Sequence, residues 1–474
     1  MANKNIIPPS AKVAIIEQQY LSPVLVIQGY NIPIGTTYCF LAKADPWTDE
    51  ANPPVPTSDQ KYMKQVMKNM FVAKLLTTSE ISPVLQRIDW ESGVVYDYYK
   101  DDVNMVELDS NGYLIRNFYV KNKYDQVFKC LWNNTTLDEY DNTVLNASTV
   151  EPYFQPGTYN TNNIFQGADK YKWKYIYTID TGLKVKFMDK AWMPVGIGTN
   201  TPNTFDNTAG RGSIDVINIT SVGSGYDPAN AIISITITGD GTGAAAVANV
   251  SLGSVADVIV TNPGTNYTYA NVAIVSSIGS GAMAFSPTSP IGGHGFDPVS
   301  DLGCSHVMFT TEFNGSEGGV IPTDIDYHQI GLIVNPTSAK RWLQAQNDGA
   351  AGPYPANSSI YKTSTDLTVA PGFGVYTPDE IIYQGSTDSI DNATFIARVL
   401  SFDPATNVLR LINTTGTPTN NSPVRNDSRT NRTLLSYTTP DFSPFSGYIS
   451  FLENRTGVQR SSDGIEQIRI VLGY

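Results

Sequence analysis

Charge, histidine and cysteine are all scarce in this chain. Only 16% of its 474 residues are Asp, Glu, Lys or Arg, well below the quarter usual in globular proteins. The only histidines are His294, His306 and His328, with no H-E-x-x-H and no two at a ligand spacing, so the common metal-dependent hydrolase patterns are excluded. The only cysteines are Cys39, Cys130 and Cys304, an odd set at irregular spacing that makes neither a disulfide framework nor a zinc pattern. Free buried thiols made in a reducing cytoplasm are expected. No apolar run approaches the ~18 residues of a membrane span, and the first residues lack a signal-peptide pattern. A net charge of −13 argues against a general nucleic-acid surface, which needs clustered Lys and Arg.

Turn formers and strand formers are plentiful instead. The 29 Pro and 38 Gly imply many turns, and Thr, Tyr, Val and Ile favour strands. The length exceeds what one core serves. The expected fold is mainly β (α+β), with several β-sandwich or barrel-like modules and one or two helices packed on a core domain. One helix is predicted over residues 58–76, where Tyr62, Met63, Val66, Met67, Met70, Phe71 and Leu75 form an apolar stripe. Thr57, Ser58 and Asp59 are candidate caps, and Pro83 lies beyond the end. Segments 127–132 and 173–177 read as strands of a second, β-rich domain, where six tyrosines (96, 98, 99, 171, 175 and 177) serve either a core or an interface.

Residues 214–280 repeat internally. Asn218-Ile219-Thr220-Ser221-Val222-Gly223-Ser224-Gly225-Tyr226 aligns with Ile259-Val260-Thr261-Asn262-Pro263-Gly264-Thr265-Asn266-Tyr267, an offset of 41 residues. Two copies should pack as one small β module. Residues 365–415 read as a small barrel, and the polar stretch 416–433 as a loop or linker.

Chemical motifs are weak. Gly239-Asp240-Gly241-Thr242-Gly243-Ala244 fits a dinucleotide fingerprint, but the residues after it alternate with strand period, so a hairpin turn is expected. His294, in Gly292-Gly293-His294-Gly295, is expected in a solvent-facing loop, and His328 as a hydrogen-bonded structural residue. Asp324 and Asp326 suit either a cation site or an Asx turn. The carboxylates Asp89 with Glu91, and Asp101 with Asp102, have no visible facing partner. The reading is a non-enzyme with no cofactor, no metal and no small-molecule substrate.

Five ordered segments carry a resemblance. They are Tyr38-Cys39-Phe40-Leu41-Ala42-Lys43-Ala44-Asp45-Pro46-Trp47; Arg87-Ile88-Asp89-Trp90; Tyr171-Lys172-Trp173-Lys174-Tyr175-Ile176-Tyr177; Gln329-Ile330-Gly331-Leu332-Ile333-Val334-Asn335-Pro336; and Gly447-Tyr448-Ile449-Ser450-Phe451-Leu452-Glu453-Asn454-Arg455. In this order the set resembles the peripheral baseplate wedge protein of T-even-type contractile-tailed phages, in a cyanophage-like version with insertions. The resemblance spans about residues 30–200, 325–345 and 445–474. It implies a virion structural protein assembled in the host cytoplasm, a homodimer, and other baseplate wedge proteins as partners, with no nucleic acid and no membrane. It also implies a discontinuous core domain (1–90, 320–350, 440–474), a second domain (91–204), and insertions at 205–300 and 355–435. Asp45, Pro46, Trp47, Arg87, Trp90, Tyr171, Trp173, Asn335, Pro336, Glu453, Asn454 and Arg455 are its structural positions. The Glu453-Asn454-Arg455 triplet is expected in a turn, with Arg455 forking onto a carboxylate. A tail-associated carbohydrate- or receptor-binding protein is the alternative.

Overall fold

The computed structural model describes residues 25–27, 30–32, 36–110, 112–137, 143–155, 163–195, 212–227, 232–290, 293–315, 317, 321–342, 353–355, 359–428, 430–443 and 445–473. The fold is mainly β, and the chain divides into two compact units. One takes in Ser82–Met308 and Val471–Tyr474, the other Ile16–Ile81 and Phe309–Ile470.

In the second of these, an antiparallel sheet runs in the order Ile360–Lys362, Met70–Leu76, Thr37–Ala42, Asp326–Val334, Tyr448–Gln459. Thr37–Ala42 is buried at every position, which explains why its apolar run is continuous rather than alternating. Gly331 lies beside it because a Cβ there would stand 2.3 Å from the Phe40 ring and 2.6 Å from the Phe451 carbonyl. The predicted helix is real but shorter, Gln60–Asn69, with Asp59 accepting from the Tyr62 N–H at 2.9 Å. Met70–Leu76 is a strand instead. Met70, Phe71, Val72 and Ala73 are all buried, and a strand flanked on both edges buries successive residues on opposite faces while pairing its backbone. Tertiary pairing overrides the helical period.

The same unit carries a closed barrel in the order Thr365–Val369, Val408–Gly416, Ala393–Asp403, Ile381–Gly385, Pro423–Asn426, Asn431–Thr438. Leu367, Val399, Leu409, Leu411, Val424 and Leu434 fill it. The stretch 416–433 is therefore not a linker: it supplies the Pro423–Asn426 strand and the start of the closing one. Its polar residues are used inside the barrel wall, as where Asn426 is buried and accepts from the Thr430 N–H at 2.7 Å.

The first unit is built on the antiparallel sheet Ile164–Gln166, Lys172–Thr178, Gln126–Trp132, Tyr119–Lys121. Tyr96, Tyr171, Tyr175 and Tyr177 are core residues, whereas Tyr98 and Tyr99 are half-buried. The repeat forms three two-stranded ribbons, each taking one strand from each copy: Asn218–Ser224 with Ser280–Phe285, Ile233–Gly239 with Ala270–Ser276, and Thr242–Ser251 with Ser254–Thr265. Equivalent residues do equivalent work. Tyr226 donates its N–H to Gly253 and Tyr267 donates to Gly212, both at 3.0 Å. Their hydroxyls accept from Ala282 and Ala244 at 3.2 and 3.4 Å. Gly223 and Gly264 share a left-handed φ of 62° and 64°, which a glycine adopts freely. The dinucleotide-like motif is the turn between Ile233–Gly239 and Thr242–Ser251, where Asp240 accepts from the Thr268 N–H at 2.9 Å.

Candidate functional site

Three sequence-remote motifs meet in the unit that holds the five-stranded sheet. The Thr37–Ala42 strand stops before Pro46 is reached, and the Trp47 indole donates to the Arg455 carbonyl at 2.8 Å. Glu50 closes the loop: one carboxylate oxygen accepts from the Trp47 N–H at 2.7 Å and the other from the Gly457 N–H at 3.0 Å. Thr456 donates to the Glu50 carbonyl at 2.7 Å. The Gly457 N–H, then those of Trp47 and His328, hold the Glu50 carboxyl below its ordinary range against desolvation. His328 is buried and 3.2 Å from Glu50, the structural role expected of it.

Asn454 is the hub. Its amide donates to the Pro54 carbonyl at 2.8 Å and to the Tyr62 hydroxyl at 2.7 Å, and its Oδ1 accepts from Gln329 at 2.8 Å. Gln329 also donates to Tyr62 at 3.1 Å. The triplet Glu453-Asn454-Arg455 thus lies within the Tyr448–Gln459 strand, not in a turn, with Glu453 opposite Ile330 and Asn454 opposite Gln329. Among the described residues Arg455 forms no ion pair. The fork expected of it belongs to Arg460, fully buried, whose Nε and Nη2 meet Glu466 at 3.1 and 3.0 Å.

Asp45 stays exposed and pairs with Arg398 of the barrel at 2.7 Å, and Arg398 also meets Asp379 at 2.5 Å. Buried Lys43 pairs with Asp326, and with Asp379 at 3.1 Å. Burial pushes the Asp326 carboxyl up, but Lys43 outweighs it and holds the group below its ordinary value. Asp324, at φ 59°, precedes the Asp326–Val334 strand, so the two carboxylates do not share a strand face. Among the described residues no group of three or more His, Cys, Asp or Glu is placed to hold a metal ion. Asn335 takes a left-handed φ of 53° and donates to Thr36 at 2.8 Å, turning the chain into Pro336.

The remaining motif residues belong to the other unit. Arg87 forks onto Asp89, with Nη2 at 2.7 Å, and Nη1 donates to the Asp189 carbonyl at 2.8 Å. Trp90 donates to Ser148 at 3.0 Å and Tyr171 to the Asn146 carbonyl at 2.6 Å. Trp173 is fully buried and stacks on Tyr171 with ring centroids 5.6 Å apart.

Sequence reading missed one constellation. Lys129, Lys172 and Lys174 are buried on the sheet, and each finds an aspartate: Lys129–Asp301 at 2.5 Å, Lys172–Asp257 at 3.0 Å and Lys174–Asp215 at 3.3 Å. The visible signal was Lys129 standing between Val127 and Leu131 on one strand face. His294 is not solvent-facing; it is buried, 3.1 Å from the Lys129 Nζ and 3.6 Å from Asp301. Its glycine-rich loop wraps inward because Asp301 accepts from the Gly295 N–H at 2.8 Å. Burial, then the Lys129 charge, pushes the His294 pKa below 6.5 against the pull of Asp301 and Asp215. Burial likewise lowers the Lys129 pKa; burial also pushes the Asp301 carboxyl up, but Lys129 and His294 together hold it low.

A depressed histidine pKa means that the unfolded chain binds the extra proton. Stability is full above the unfolded value of 6.5 and falls as pH drops towards the folded value. Thermal unfolding between about pH 7 and 5 should show this loss, and His294→Gln should flatten it. An unchanged slope would mean that His294 is hydrated.

No protein-family model matches this chain, and no curated protein matches it.

Proposed function

We propose that this chain is a structural subunit of a contractile-tail baseplate wedge, linking the baseplate periphery to the inner wedge. What supports the reading is that the three motifs meet through direct hydrogen bonds, Trp47 to the Arg455 carbonyl and Gln329 to Asn454. Residues that define a family's fold are expected to hold one another in place, and these three come from segments roughly 280 and 125 positions apart. The work is mechanical: the subunit holds the wedge and lets the periphery rearrange on host binding. Its partners are other wedge proteins and a second copy of itself.

Imaging of intact tails tests this, with density for the chain expected in the wedge. Density at a fibre tip would favour a receptor-binding protein instead. The purified chain is expected to be a dimer through an isologous contact. Light scattering that returns a monomer mass across a wide concentration range would contradict the dimer.

A further inference from the structure

Lys129 sits in a setting that does more than neutralise a charge. Its ammonium is fully buried, with Nζ 2.5 Å from one oxygen of Asp301. The carboxyl carbon is one bond beyond that oxygen. The other Asp301 oxygen is held by the Gly295 N–H at 2.8 Å. His294 Nδ1 stands 3.1 Å from Nζ and 3.6 Å from the near oxygen. Aromatic walls enclose the group: Nζ lies 3.8 Å from the Tyr99 ring centre and 5.8 Å from that of Phe118. A nucleophile, a carbonyl carbon, an oxyanion donor and a proton carrier therefore converge in a buried site.

We propose that Lys129 and Asp301 become joined by an isopeptide bond, with Gly295 and His294 assisting. The step balances within the site. The ammonium first passes a proton to the near carboxylate oxygen, which turns the ion pair into a neutral amine and a carboxylic acid. Burial drives the amine towards its neutral form, and the Lys129 charge that helps hold Asp301 ionised disappears in the same transfer. The Nζ lone pair then attacks the carboxyl carbon, forming the C–N bond and moving the carbonyl π pair onto the far oxygen. The Gly295 N–H stabilises that oxyanion. His294 Nδ1 takes one proton from Nζ and delivers it to the near oxygen, and the C–O bond breaks to release water. The carbonyl re-forms as an amide. No oxidant, metal or cofactor enters.

The bond would join positions 172 residues apart, the Gln126–Trp132 strand to the end of the Pro298–Asp301 helix. It would make a covalent ring out of a segment that includes the whole repeat module.

Intact mass spectrometry of the full-length chain, unfolded before measurement, tests the proposal. The expected mass is one water below that of the sequence, and trypsin should release one branched peptide joining Lys129 to Asp301. Lys129→Arg should restore the full mass. Asp301→Asn should form the same amide with loss of ammonia instead of water. His294→Ala should slow bond formation by about a hundredfold or more. A wild-type chain at full sequence mass overturns the proposal and leaves an ordinary buried ion pair. Loss of one water without the branched peptide, the signature of a succinimide, overturns it equally.

Discussion

Arg460→Ala is expected to destabilise its unit by about 3–5 kcal/mol, the range for removing one partner of a buried ion pair. Arg460 has no exposed surface, and its three nitrogens are all used. Nε and Nη2 meet Glu466, Nη1 donates to the Pro322 carbonyl at 3.1 Å, and Nη2 donates to the Gly315 carbonyl at 2.9 Å. Alanine leaves a largely buried carboxylate and two carbonyls without their donor, and water reaches them only if the surrounding loops open. Arg460→Lys should recover part of the loss, because a point charge satisfies Glu466 but not the whole fork. Arg455→Ala, by contrast, removes no ion pair among the described residues and should cost less than about 1 kcal/mol. Urea unfolding of the three variants separates these outcomes. Equal losses at 455 and 460 would refute the assignment of the fork.

Asp215→Ala is expected to cost about 3–5 kcal/mol for the same physical reason, while deleting the whole of 213–286 should cost less. With Asp215 truncated and the module still docked, Lys174 stays covered and loses its partner. Its side chain is only 9% exposed in the native protein. With the module gone, Lys172 and Lys174 regain water, and the uncovered face carries these lysines beside Trp132, which Phe285 covers in the native protein. Lys129 keeps Asp301 throughout. The module is nevertheless firmly seated: Lys172 donates to the Ile217 carbonyl at 2.9 Å and Asn218 to the Leu131 carbonyl at 3.1 Å. Cooperative unfolding of the deletion chain beside a weakened Asp215→Ala protein is the expected pair. Aggregation of the deletion chain with a harmless Asp215→Ala would show that the module belongs to the main core.

What could be read from the sequence was local. Of the three candidate caps Asp59 is the one used, the two central strands of the first unit fall where they are expected, and the repeat offset reappears in paired hydrogen bonds. What escaped depended on partners far along the chain. Met70–Leu76 continues a helical stripe but is taken by strands on either side. Residues 416–433 look like a linker because barrel closure makes use of their polar residues. Glu453-Asn454-Arg455 looks like a turn because its amide partners, Gln329, Tyr62 and Pro54, are more than a hundred residues away. Of the twelve motif positions, Asp45, Trp47, Asn454 and Arg455 draw together in one unit, whereas Arg87, Trp90, Tyr171 and Trp173 serve the other unit's own packing.

The three ribbons of the repeat module have a consequence for how the protein is born. Every ribbon needs one strand from each copy, so the first copy leaves the ribosome with three strands and no mates. Nothing in that half can close a ladder until residue 254 and those after it have been made. The Thr242–Ser251 and Ser254–Thr265 strands close as a local hairpin, but the other two ribbons are non-local, which folds slowly and leaves unpaired edges on view in the meantime. The same geometry suggests an ancestry: a chain with one copy builds this shape only by exchanging strands with a second chain. Duplication would then have turned an exchange between molecules into a fold within one.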